Sequence, residues 1–429
     1  MATITAVGAR EVLDSRGWPT VEADVTLSDG AQAFASVPSG ASRGGSEACE
    51  LRDDDPTRYG GRGVRQAVAN VVDILGPAVV GRQAADQAGL DAVLLELDGT
   101  PDKSRLGANA ILAVSCAGAR AAAFSRGLPL WRHLAETLFD FAQPCLPLPM
   151  INILSGGHHA GFQLDLQDVL LVPVGADSVA QALEWTNAVY YAVRRRLQRD
   201  HGYRQLVADE GGFGPDLADN EAMLAIVTDG IVDAGLEPGS QAALAVDVAA
   251  THFWRDGAYR LAADDVERDA AAMTELLAAW VERYPIVSLE DGLADEDWAG
   301  WPGLTRRLGD RVQLLGDDLF TTNPQRLARG IKCGCANSVL VKMNQIGTLT
   351  ETAAAWRLAR AAGYSGVVSA RSGETEDDFL ADLAAASGAG QIKVGAIARS
   401  ERLAKYNRLL RLAEHGLPWP GAAALGRWR

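Results

Sequence analysis

The sequence has no excess of positive charge, few cysteines and no long uninterrupted apolar run. Of its 429 residues, 40 are Lys or Arg and 55 are Asp or Glu, a formal net charge of −15. Nucleic acid, a polyanion bound through counterion release, is therefore not an expected partner. The five cysteines, at 49, 116, 145, 333 and 335, are scattered and odd in number. That pattern argues against a disulfide framework and for reduced thiols in the cytoplasm. Cys333-Gly334-Cys335 has no second cysteine pair to complete a zinc site. The longest small-apolar stretch, 107–119, is cut by Arg120 and too short to span a bilayer, so no membrane contact is expected. The opening Met1-Ala2-Thr3-Ile4 carries neither a basic nor an apolar segment, so no signal peptide is expected. What is present, 48% hydrophobic and 22% charged residues, is ordinary globular composition in a chain long enough for two domains.

Residues 1–30 alternate as a strand does, with Val21, Ala23, Val25 and Leu27 on one face and Glu22 and Asp24 on the other. Ser28-Asp29-Gly30 reads as a hairpin turn into a second strand through Ala33, Ala35 and Val37. The Gly- and Ser-rich segment 38–47 reads as a mobile loop. From 59 to about 138 the pattern is helical, with an Ala-rich helix at 109–123, which makes 1–140 an α+β domain. Pro144, Pro147 and Pro149 mark a boundary. The apolar runs 150–154 and 168–172 follow, separated by a gap holding Gly156, Gly157 and Gly161 that leaves no room for a crossover helix. Those two strands are expected to be antiparallel. Helical patterns come next at 176–200 and 219–235, then regular strand–helix alternation from 242 to about 413. The second domain is placed at 145–415, with 416–429 a peripheral tail.

Six short apolar runs end in charge: 242–247, 285–290, 312–317, 338–342, 366–371 and 391–393. Their spacing predicts buried parallel strands joined by helices, the rhythm of a (β/α)8 barrel, whose strand C-termini share one face and carry the chemistry. Asp247, Glu290 and Asp317 would then converge with Lys342 and Lys393. Oxygen donors of this kind suit Mg2+ or Mn2+ rather than zinc. A lone acid at a strand end can equally cap the next helix. Three at successive ends, with lysines on later strands, favour a cation. Asp291 and Asp318, directly after two of them, read as caps or supports. Lys342, ending an apolar strand near Lys393 and a metal, is expected to have a lowered pKa and to act as a base. Glu210, in Asp209-Glu210-Gly211-Gly212-Phe213-Gly214, is the candidate acid, its glycines letting the backbone approach a ligand.

These residues lie in motifs that closely resemble the enolase family over roughly 3–413. They include Leu13-Asp14-Ser15-Arg16-Gly17, Gly40-Ala41-Ser42, Ser288-Leu289-Glu290-Asp291 and Gly316-Asp317-Asp318-Leu319. Lys342-Met343-Asn344-Gln345-Ile346-Gly347, Arg371-Ser372-Gly373-Glu374 and Ala398-Arg399-Ser400-Glu401-Arg402 continue the match. The resemblance implies a barrel opening ββαα under an N-terminal α+β capping domain, and a homodimer or assembly of dimers. It implies two Mg2+ ions, one on Asp247, Glu290 and Asp317 and one helped by Ser42. It makes Lys342 the base that takes the proton alpha to a carboxylate and Glu210 the acid at the leaving hydroxyl. Lys393 would sit beside the carboxylate, Arg371 and Ser372 on the phosphoryl group, and His159 and Gln167 against the substrate.

Five positions depart from the family pattern. The histidine before Arg371 is Ala370; the glutamate after Gln167, a catalytic position, is Asp168; the loop threonine is Arg43. An asparagine before the Gly-Gly-x-His loop is Ser155, and another is Trp18. Ala370 would free volume and Arg43 would add a cation beside the substrate. The expectation is a specialised paralogue resembling carboxyphosphonoenolpyruvate synthase, acting in phosphonate or phosphinate antibiotic biosynthesis on a small phosphorylated or phosphonate carboxylate. The alternatives are an ordinary phosphopyruvate hydratase and a non-catalytic enolase-like binding protein.

Overall fold

The alternation in the first thirty residues builds a sheet. The computed structural model describes residues 1–40, 45–204 and 206–426. Ser42 and Arg43 therefore lie outside the described residues. β1 (Ile4–Leu13), β2 (Pro19–Leu27) and β3 (Gln32–Ser36) form an antiparallel meander. Val21, Ala23, Val25 and Leu27 are buried, while Glu22 and Asp24 accept hydrogen bonds from Arg10 on the other face. Gly30, at φ +88°, takes the left-handed place in the turn between β2 and β3.

Against β2 and β3 lies the helix Ala108–Ser125. Its alanines let it approach closely, and 15 of its 18 residues are buried. It is long and apolar enough to cross a membrane, but it lies inside the protein, 83% buried. Arg120 does not end it, because the guanidinium turns sideways to Asp377 at 2.7 and 3.0 Å. The apolar stretch thus runs further than the charge in the sequence suggested.

The barrel begins with β4 (Leu148–Ser155) and β5 (Asp168–Val172), which pair antiparallel as the short gap requires. The helices Val179–His201 and Glu221–Asp233 follow, the first capped by the Ser178 hydroxyl. β6 (Ala243–Asp247) then pairs antiparallel with β5. Regular alternation fails here. Three short strands, β7 (Trp254–Arg255), β8 (Ala258–Leu261) and β9 (Val266–Arg268), form a separate sheet before the next helix. Strands this short fall below the span over which alternation can be read. β10 (Ile286–Glu290), β11 (Gln313–Gly316), β12 (Ser338–Val341), β13 (Ser365–Ser369) and β14 (Gln391–Ala396) are parallel, and β14 closes on β4. The result is a closed eight-stranded barrel with the ββαα opening.

Two expectations are corrected. Lys393 does not end its run: β14 continues through Val394, Gly395 and Ala396, so the amine points inward from mid-strand. The tail is not peripheral either. Leu425 is fully buried against Leu148, Met150 and Leu315 at the barrel end opposite the charged residues. Gln391 Nε2 donates to the Ala424 carbonyl at 3.0 Å, and Trp419 Nε1 to that of Ala176 at 2.8 Å. A barrel floor lined with apolar side chains needs an apolar plug, and the tail supplies it. Leu425→Ala should cost about 2–5 kcal/mol of folding stability, read as an earlier urea midpoint.

Candidate active site

Charged side chains reach the barrel mouth because successive parallel strands stop at the same level. Asp247 and Glu290 are the last residues of β6 and β10 and face each other in register. Asp317 and Lys342 each stand one residue beyond β11 and β12, and Arg371 two beyond β13.

The acids are held by amines. Lys393 Nζ donates to Asp247 Oδ2 and to both oxygens of Glu290, each at 2.8 Å. Lys342 Nζ pairs with Asp317 Oδ2, whose other oxygen accepts from Gln345 Nε2 at 2.9 Å. Gln167 Nε2 donates to Asp247 at 3.1 Å. Burial lowers the pKa of the Lys342 ammonium, but the Asp317 carboxylate outweighs it and holds the group above its ordinary value. The expected depression of this lysine is therefore not found while Asp317 is its partner.

Behind Asp317 lies Asp291, in the left-handed region at φ 42°. Its oxygens accept the backbone N–H of Asp317 at 3.0 Å and of Asp318 at 2.7 Å, the supporting role read from its position. Burial and the neighbouring Asp318 and Asp317 carboxylates push Asp291 well above the usual carboxylate range. Burial and Asp317 lift Asp318 to about 7. Oxygens of Asp291, Asp317 and Asp318 lie within 4.8 Å of one another. All-oxygen donors of this kind fit a Mg2+ ion; Asp317 belongs to this cluster, while Asp247 and Glu290, its expected partners, stand on Lys393.

On the facing side, Glu210 is buried, and its carbonyl accepts from Ala396 N at 2.9 Å. Burial raises its carboxyl pKa, but His159, Arg402, Lys393 and Lys342 together hold it below the ordinary value. The first two glycines after it allow close packing. A β-carbon on Gly211 (φ +89°) would meet Ala396 at 3.1 Å, and one on Gly212 would meet Asn152 at 2.4 Å. His159 Nδ1 faces Asp168 Oδ2 at 2.8 Å. Arg371 sets its fork on Glu47, with Nη1 at 2.9 Å and Nη2 at 3.1 Å, and its Nη1 also reaches Asn344 Oδ1 at 3.1 Å.

One cavity gathers these groups, with His159, Gln167, Glu210, Asp247, Asp317, Lys342, Ala370, Arg371, Ser372 and Lys393 on its wall. Its free volume is 30 Å³, room for about two waters. Asp168 and Glu290 lie behind that wall. A much larger cavity, 990 Å³, opens between the N-terminal sheet and residues 374–378 and has no lysine on its wall. The small cavity is assigned the chemistry because it joins buried acids to buried bases. The family model for the enolase C-terminal TIM barrel domain matches residues 143–418, and that for the enolase N-terminal domain matches 4–134. The chain belongs to the enolase family.

Membership of the enolase family makes this an enolase-type enzyme of the lyase kind, with Mg2+ as the metal its relatives use. Several groups essential to the geometry had no role in the sequence reading. Glu47 and Gln345 bond to Arg371 and Asp317, and both sit in or beside stretches whose neighbours matched the family. Arg402, fully buried, donates to the carbonyl of Arg371 at 2.6 Å, to that of Val394 at 3.0 Å, and to that of Ser372. It thereby fixes the turn that presents Arg371 and Ser372. Its place in a motif that resembles the family's was the available signal, but nothing local told which carbonyls it would reach. Arg402→Met, which strands these carbonyls, should destabilise the fold by about 3–5 kcal/mol and raise KM more than it lowers kcat. Denaturant unfolding and steady-state kinetics measure the two effects.

Proposed function

We propose that this enolase-family protein eliminates water from a phosphorylated or phosphonate three-carbon acid, as a specialised paralogue making carboxyphosphonoenolpyruvate. The observation that carries this reading is the combination on one cavity wall. Lys342, Glu210 and the acidic groups are retained, while Ala370 stands beside Arg371 where the family has a histidine. Chemistry is kept and the substrate's surroundings are altered. A product that resembles phosphoenolpyruvate, with a carboxylate in place of one phosphoryl oxygen, needs added volume and added positive charge. Ala370 supplies the first and Arg43 is proposed to supply the second.

In this reading Lys342 removes the proton alpha to the substrate carboxylate, and the developing double bond expels the C3 hydroxyl. Glu210 gives that hydroxyl its proton, so water leaves and the two protons balance. Glu210 must first gain a proton. An incoming polyanion helps, because it draws off the cations that hold this carboxyl ionised. Arg371 and Ser372 orient the phosphoryl or phosphonate group, Arg371 through its planar fork. Asp247, Glu290 and Asp317, with Asp318 next to Asp317 in sequence, would hold the metal, and Ser42 is proposed, from the resemblance, to help hold a second. Mg2+ bound there supplies charge stabilisation for the substrate carboxylate as it gains electrons. The same reading includes two metal ions, a homodimer or assembly of dimers, and a cytoplasmic location.

Lys342→Ala should abolish exchange of the alpha proton with solvent deuterium, followed by NMR, while Mg2+ binding by calorimetry persists. The substrate reading is tested by comparing 2-phosphoglycerate with its phosphonoformyl analogue in the presence of Mg2+. Preference for the analogue is expected. Turnover of 2-phosphoglycerate near about 10 s⁻¹, the median for enzymes, would assign the protein to ordinary phosphopyruvate hydratase instead.

A further inference from the structure

Two of the departures from the family pattern touch each other. Asp168 opens β5 and Ser155 ends β4, directly opposite in the antiparallel register. Both are fully buried. Ser155 Oγ donates to Asp168 Oδ1 at 2.7 Å, and Asn152 Nδ2 donates to the same oxygen at 2.6 Å. The other oxygen, Oδ2, is taken by His159 Nδ1 at 2.8 Å. Three donors thus surround a carboxylate that is absent from the cavity wall.

His159 is on that wall, and its Nε2 has no hydrogen-bond partner among the described residues. The other cations there are already on carboxylates: Lys342 on Asp317, Lys393 on Asp247 and Glu290, Arg371 on Glu47. The acids facing the ring are Asp168, Glu210 and Asp247. His158 and His252 stand beside it, their rings 6.0 Å apart. Burial lowers the pKa of the ring, but Asp168 and Glu210 outweigh it and lift the imidazolium to about 9. The ring is then doubly protonated at neutral pH, with one N–H spent inward and one left for the cavity.

We propose that Asp168 is a positioning residue and not a proton-transfer group. With Ser155 and Asn152 it holds His159, already a substrate-contacting position by the family resemblance, so that Nε2 faces the cavity. The shorter carboxylate and the hydroxyl belong together. The substrate contact given to His159 rests on the anionic-acid reading of this cavity.

The test is titration of the intact, metal-free protein carrying ¹⁵N-labelled histidine, without substrate, so that it stands or falls separately from the identity of the substrate. His159 should titrate near 9 in the native protein, and in Asp168→Asn near or below the ordinary 6.5. With substrate and Mg2+ above pH 7, this variant should raise KM roughly tenfold and leave kcat within a factor of about two. A loss of kcat on the order of a thousandfold with His159 titrating as before would make Asp168 the proton-transfer group and overturn the proposal. So would a neutral His159 in the native protein at pH 7. If Asp168→Asn does not fold, Ser155→Ala removes one donor and no charge. The downfield proton on Nδ1 should then shift while circular dichroism stays native, and an unmoved proton would overturn the proposal.

Discussion

Buried carboxylates at the barrel mouth cannot remain charged without partners, and the partners they find organise the rest of the site. Taking an ion out of water costs several kcal/mol, returned only when geometry and hydrogen bonds are complete. Here Lys393 spans Asp247 and Glu290, and Lys342 takes Asp317. Asp291, with no lysine of its own, accepts two backbone N–H groups and is pushed towards its protonated form. The lattice is poised. A divalent cation placed on these acids would release the amines that now neutralise them, and one of those amines is the group proposed to take a proton from carbon.

The N-terminal domain contributes to this lattice instead of merely covering it. Glu47 fills the fork of Arg371, so an anionic substrate group must compete with or displace it. Arg120, from the long buried helix, grips Asp377 a few residues past Arg371. Ser39 and Gly373 exchange backbone hydrogen bonds of 2.8 and 2.9 Å at the same junction. The turn after β13 is therefore tied to the N-terminal domain on one side and to Arg402 on the other. A rigid support of this kind suits a planar guanidinium proposed to orient a doubly charged phosphoryl or phosphonate group.

Among the described departures from the family pattern, Ala370 is on the cavity wall and Asp168 and Ser155 are buried behind it. Ala370 is anchored by its N–H, which donates to the Lys393 carbonyl at 2.9 Å. Asp168 and Ser155 adjust to each other across one rung of the sheet. Neighbouring changes inside a buried hydrogen-bond network are coupled, because each donor and acceptor sets the geometry of the next.

Much of the fold was legible because its signals are local. The alternation of Val21, Ala23, Val25 and Leu27, the glycine-bearing gap before Asp168 and the strand lengths between helices each depend on a few neighbouring residues. So did the charge ending each run, which marked Asp247, Glu290, Asp317 and Lys342. What stayed hidden depends on contacts between distant segments: the plug made by Leu425, the inward turn of Lys393 from mid-strand, the reach of Arg402 to three carbonyls, and the pairing of Asp317 that holds Lys342 above its ordinary pKa. Residue types and their spacing could announce acids and amines at one face. Only closure of the barrel chose which acid meets which amine, because that choice is made by the neighbours of each strand around the ring and not by its neighbours along the chain.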